Sequence, residues 1–128
     1  MFKDAKAFSS FSVNDVAVAR RFYTQTLGFA VDEPMGMLLL RIAGGNPVLV
    51  YGKRDHVPAT YTVLNIPVSD VEAAVDQLVA RGVRFERYDG PDVRTDARGI
   101  QRGRGPAIAW FKDPAGNIVS VIDAKAGM

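Results

Sequence analysis

The chain has 128 residues, 48% apolar and 23% charged, with 16 basic against 14 acidic side chains and a formal net charge of +2. This balance fits one compact globular domain rather than a disordered or fibrous chain, and so small a charge makes no electrostatic case for nucleic acid, even with a pI near 9.1. No apolar run approaches the ~20 residues of a membrane span, the opening Met1-Phe2-Lys3-Asp4-Ala5 lacks a signal-peptide core, and the lack of cysteine removes disulfides, thiolate metal sites and thiol nucleophiles. A soluble, cytoplasmic protein with neither a membrane nor a nucleic-acid partner is expected.

In chain order, residues 7–13 read as a strand, after which Asn14 or Asp15 offers the side-chain acceptor that starts a helix. The apolar residues of that helix fall at Val16, Ala19, Phe22, Tyr23 and Leu27, and Gly28 ends it. Three β-favouring stretches follow at 29–33, 37–42 and 47–51. A polar link then carries the single histidine, His56, for which a surface turn is the expected setting. The order repeats with a strand at 60–68, a capping-box pattern of Ser69 with Glu72, and a helix with Val71, Ala74, Val75 and Leu78 that closes at Gly82. Strands are expected at 83–89, 107–112 and 118–122. Between the first two lies a polar, irregular loop over 90–105, and Asp113-Pro114-Ala115-Gly116 joins the last two by a type I turn.

The two halves also repeat in sequence. Phe11-Ser12-Val13-Asn14-Asp15-Val16 returns 55 positions later as Ile66-Pro67-Val68-Ser69-Asp70-Val71, and Ala43 to Val50 is echoed 71 positions later by Pro114 to Val121. A duplicated unit implies superposable backbones. The expected fold is therefore α+β: two tandem βαβββ modules, at about 5–54 and 58–124, within a single domain over 1–128.

Strand side chains alternate between two faces. Phe11, Val13, Val48 and Val50, with Leu64, Ile66, Val68, Val119 and Val121, form the set expected under the helices. The opposite face is mixed. It carries Phe8, Ser10, Leu49 and Tyr51 in the first half and Val63, Asn65 and Ser120 in the second. If Asp113 and Asn117 close the last hairpin, Trp110 stands opposite Ser120 and Lys112 opposite Ile118, and the repeat places Leu39 and Arg41 at the equivalent points. An apolar and aromatic surface with scattered polar groups and two cations suits a small-molecule cavity shared by the modules.

Phe11-Ser-Val-Asn-Asp15 running into Arg21-Phe22-Tyr23-Thr-Gln-Thr-Leu27-Gly28-Phe29, with Phe111-Lys-Asp113-Pro114-Ala-Gly116-Asn117, resembles the vicinal oxygen chelate superfamily of glyoxalases, bleomycin resistance proteins and extradiol dioxygenases. The resemblance spans nearly the whole chain. It implies paired βαβββ modules around a cavity and, in the metal-dependent members, one ligand on the first and last strand of each module. Those positions fall here on Phe8, Leu49, Val63 and Ser120, which include no imidazole or carboxylate. No metal and no cofactor is expected, because a divalent ion needs several such donors.

The leading expectation is a metal-free binding protein of this superfamily that holds a small planar or anionic molecule against Phe8, Ser10, Leu39, Arg41, Leu49, Tyr51, Val63, Asn65, Trp110, Lys112 and Ser120. As in other members, a homodimer is expected. Two alternatives stand beside it: an enzyme of the same fold, a lyase, isomerase or dioxygenase-like protein using Tyr51, Asn65 or Ser120 for polarisation, and a regulatory or structural dimer whose cavity is filled by its own side chains. Arg94, Arg98, Arg102 and Arg104 give the 90–105 loop two readings, a solvated loop or a glycine-hinged lid that retains an anion.

Overall fold

The computed structural model describes residues 1–126, which separate at Pro58 and Ala59 into two compact units. In the first unit, β1 (Ser10–Val13) leads into α1 (Val16–Arg21), followed by β2 (Val31–Asp32), β3 (Leu38–Leu40) and β4 (Val48–Gly52). The sheet order is β1-β4-β3-β2, with β1 and β4 parallel and the rest antiparallel. The second unit repeats the plan with β5 (Thr62–Val68), α2 (Val71–Ala80), β6 (Ile100–Gln101), β7 (Ile108–Lys112) and β8 (Ile118–Asp123), in the order β5-β8-β7-β6. The duplication is visible in the register: Phe11 pairs with Val50 and Ile66 with Val121, the same cross-strand contact made twice.

Each helix is started by an aspartate. Asp15 Oδ1 accepts from the Val18 N–H and Asp70 Oδ1 from the Ala73 N–H, both at 3.1 Å. The expected capping box is therefore corrected. Asp70, not Ser69, holds the N-cap, and Glu72 reaches out to Arg98 and Arg102 instead. The first helix does not stay regular to Leu27. From Phe22 to Thr26 it widens into a π-turn, closed by the Leu27 N–H on the Phe22 carbonyl at 3.0 Å. The turn sets Tyr23, fully buried, among the rings of Phe11, Phe22 and Phe29 at centroid distances of 5.9, 5.3 and 6.4 Å.

In the second unit the expected strand at 83–89 does not form a ladder. Phe85 makes a single bridge to Phe111 and the Glu86 N–H donates to the Trp110 carbonyl at 2.8 Å, while Ile100 and Gln101, from within the expected irregular loop, pair with Ala109 and Ile108. Two short pieces thus share one edge of β7. Gly99 makes the approach of the second piece possible. With φ +86° it brings the chain back so close that a Cβ there would stand 2.8 Å from the Glu86 carbonyl oxygen.

The hairpin at 113–117 is fixed by its own side chains. Asp113 Oδ1 accepts from the N–H groups of Ala115 and Asn117, both at 2.9 Å, and Oδ2 from Asn117 Nδ2 at 3.1 Å. Both residues are buried, so Asp113-Pro-Ala-Gly-Asn117 serves the turn, and the turn sets the register of β7 on β8.

Candidate functional site

The second unit gathers its polar and aromatic groups on the sheet face away from α2. One row across the sheet is Asn65, Ser120 and Trp110, and the next is Thr62, Ile118 and Lys112. Alternation from Asn65 predicts Val63 for that second row. The structure corrects this, because Thr62 pairs with Ile118 and Leu64 with Val119, leaving Val63 as the extra residue of a β-bulge. The bulge turns Thr62 onto the mixed face, where its Oγ1 accepts from Trp110 Nε1 at 3.1 Å.

Trp110 is held on a second side by Tyr88, edge-on at a centroid distance of 5.7 Å and an interplanar angle of 80°. These residues, with Tyr61, Val93 and Ile118, line an open cleft of about 350 Å³. Partial burial pushes the Tyr88 hydroxyl above its ordinary pKa, helped by the nearby Glu86 carboxylate and opposed by Lys112, so it stays protonated and able to donate at neutral pH. Of the residues expected here, Trp110 lines the cleft. Ser120 lies fully buried behind it, its Oγ donating to Asn65 Oδ1 at 2.6 Å. Lys112 stands at the edge, paired with Glu86 at 3.3 Å.

In the first unit, Ser10, Leu49 and Leu39 share a row with Asp32, and Ser12 and Tyr51 share the next. Phe8 lies before β1 and is 60% exposed, so the strand does not carry it onto this face. Arg41 is not a bare cation, since Asp32 Oδ2 meets its Nη2 at 2.5 Å. Lys112 is paired as well, so each of these two cations has a carboxylate counter-ion. His56 closes the expected turn, its N–H donating to the Lys53 carbonyl at 3.1 Å, and it is half-buried, with Nδ1 2.7 Å from Ser12 Oγ.

The 90–105 loop is not a free lid. Arg98 reaches the Glu72 carboxylate and carbonyl and the Asp76 carboxylate, Arg102 reaches Glu72 and Asp96, and Arg104 donates to the carbonyls of Pro91 and Asp92. Arg94 pairs with Asp89. All four loop arginines are occupied in docking the loop on α2 and on itself.

The four positions where metal-dependent relatives carry ligands do not fit a metal. Phe8, Leu49 and Val63 offer only carbon, and the one hydroxyl, of Ser120, is buried and committed to Asn65. Thr62, which the bulge puts in place of Val63, adds only a hydroxyl that already accepts from Trp110. Among the described residues no group of three or more histidine, cysteine, aspartate or glutamate side chains could hold an ion, and no helix is long and apolar enough to cross a membrane.

The profile of the Glyoxalase/Bleomycin resistance protein/Dioxygenase superfamily matches residues 8–121, and the chain belongs to that superfamily. TnmS3, an antibiotic binding protein from Streptomyces sp. CB03234, superposes with a TM-score of 0.68 at 24% identity, over 94% of this chain and 97% of its own. A glyoxalase/bleomycin resistance protein from the same organism gives 0.65 at 25% identity, over 93% and 100%. Lactoylglutathione lyase from Agrobacterium tumefaciens gives 0.67 at 16% identity, over 95% of each chain. No curated protein matches the chain.

Sequence reasoning missed Thr62, Tyr88 and Val93. A bulge hides Thr62, and the other two sit on a stretch whose pairing the sequence does not specify. Tyr88 had one available signal: an aromatic in an extended segment expected next to the strand of Trp110.

Proposed function

We propose that this chain is a small-molecule-binding member of its superfamily, taking a planar, largely uncharged aromatic ligand in the Trp110 cleft without a metal. The observation that carries the reading is the anchoring of Trp110, by the Thr62 hydroxyl on its N–H and by the edge of Tyr88 on its ring. A ring held from two sides presents a flat wall at little cost in side-chain entropy, and stacking against it adds about 0.5–1.5 kcal/mol beyond area burial. The Tyr88 and Thr62 hydroxyls supply the few polar groups that orient a ligand, and a cleft of about 350 Å³ is of ligand size. Similarity to an antibiotic binding protein agrees with sequestration. The planar part of the expectation is kept, and the anionic part is not carried to this cleft, whose lining holds no cation.

Titration of a panel of neutral quinones, aromatic carboxylates and cationic aromatic drugs, followed by emission of the only tryptophan, tests the reading. Saturable quenching by the neutral planar members is expected, with loss of binding by calorimetry in Trp110→Ala. A panel that leaves the emission unchanged, or binding that survives Trp110→Ala, rejects it. The reading includes a homodimer, supported by the exposed rings of Phe2 and Phe8. Light scattering at micromolar concentration checks this, and a monomeric mass refutes it.

A further inference from the structure

The second unit has another cleft, on the opposite face of its sheet from Trp110. The extended stretch after α2 alternates: Glu86 and Tyr88 turn toward Lys112 and Trp110, while Val83, Phe85 and Arg87 turn toward α2. There, between the end of α2 and the docked loop, lies a space of about 500 Å³. Val79, Val83 and Phe85 give it an apolar lining, Arg87 shares their side of the stretch, and Arg84, of the opposite parity, borders the space from the edge.

Of the six arginines between 84 and 104, the four of the loop are tied to carboxylates or carbonyls. Arg84 and Arg87 have no hydrogen-bond or ion-pair partner among the described residues, and both are exposed. The one aspartate in the lining, Asp76, is already paired with Arg98. The carbonyls at the end of α2 do not compete for the guanidinium groups, since Leu78 and Val79 accept from Arg81, Gly82 and Val83. The space is therefore bordered by two arginines with no partner among the described residues, beside an apolar lining. That combination recognises an anionic head, held by charge-assisted and bidentate hydrogen bonds, joined to an apolar body that covers Val79 and Phe85.

We infer that this cleft is a second binding site, separate from the Trp110 cleft, for an organic anion with an apolar or aromatic body, of the aryl phosphate, sulfonate or carboxylate class. The two sites share no lining residue. The test is calorimetric titration of naphthyl phosphate, with inorganic phosphate and naphthol as the half-ligands, into the wild type, Arg84→Ala/Arg87→Ala and Trp110→Ala. Naphthyl phosphate is expected to bind the wild type and Trp110→Ala alike, and about tenfold or more weakly when both guanidinium groups are removed. Each half-ligand alone is expected to bind more weakly than naphthyl phosphate. Because the two arginines are exposed and unpaired, circular dichroism should show the double variant folded as the wild type. The inference is overturned if wild type does not bind naphthyl phosphate, if the double variant binds it as tightly, if naphthol or phosphate alone matches it, or if Trp110→Ala abolishes the binding. That last outcome would assign the anion to the aromatic cleft, whereas loss in the arginine variant alone leaves the Trp110 reading untouched.

Discussion

Replacing Thr62 by valine keeps the side-chain shape and removes only the acceptor for the Trp110 N–H. The lost bond is 3.1 Å long and half-buried, so water can reach part of the freed donor. A net loss of about 0.5–1 kcal/mol is expected, below the roughly 1–3 kcal/mol of a fully buried donor left unpaired. For a chain of this size that is a fall in Tm of roughly 2–4 °C. The indole reports the change directly, because the protein has a single tryptophan. Its emission should shift to longer wavelength as the freed N–H meets water, and its anisotropy should fall as the ring loses one of its two anchors. Thermal unfolding followed in parallel by circular dichroism and tryptophan emission measures both effects. If Tm stays within about 1 °C of the wild type and the emission and anisotropy are unchanged, the Thr62 bond does not hold the ring, and the claim that the cleft is preorganised is wrong.

Gly99→Ala should cost roughly 1–3 kcal/mol in chemical denaturation, because the new Cβ meets the Glu86 carbonyl oxygen at 2.8 Å and φ is +86°. Gly103→Ala, with φ +85° and open space around it, should cost only about 1 kcal/mol, and equal costs at the two sites would refute the close approach. Asp113→Ala strips three accepted hydrogen bonds from a buried turn and should destabilise by roughly 2–4 kcal/mol in the same assay; a loss under about 1 kcal/mol would mean that the turn does not depend on the carboxylate. Partial burial of Asp96 raises its pKa, but the N–H groups of Ile100 and Arg98 and the Arg102 guanidinium outweigh that and hold the carboxyl below its ordinary range. A lowered folded-state pKa adds stability above the unfolded value and loses it as pH falls through the folded one, so the gap between wild type and Asp96→Asn should be present at neutral pH and close below about pH 4. A gap that persists at pH 2 would refute the assignment.

The interior ladders were legible because their determinants lie in the strands themselves. Alternation placed Phe11, Val50, Val119 and Val121 on the buried face, and the duplicated sequence predicted superposable halves, which the matching pairs Phe11 with Val50 and Ile66 with Val121 display. The Asp113 turn fixed Trp110 opposite Ser120 through local chemistry alone. The repeat even held the answer for the second helix cap. Asp70 stands where Asp15 stands in the first module, although Ser69 followed by Glu72 is the stronger local pattern.

The sheet edges were not legible, and the reason is physical. An edge strand is chosen by which passing segment satisfies the outer hydrogen bonds of its neighbour, and that depends on where a loop docks. Here the Arg98 and Arg102 pairs with α2, formed across a long loop, put Ile100 and Gln101 on β7 and leave 83–89 with one bridge to β7. The same docking determines which carboxylates meet the cations: Glu86 reaches Lys112 from that edge, as Asp32 reaches Arg41 from β2. A charge count along the sequence sees two cations on a face and misses their counter-ions, because those sit on segments whose register the sequence leaves open. The bulge at Val63 is nearly hidden in the same way, since no glycine or proline marks it and its only trace is the adjacent apolar pair Val63-Leu64. Thr62 and Tyr88 reach Trp110 because of that bulge and that edge. The cleft is therefore built where the regular pattern breaks, as expected if local rules give way first at sites that bind.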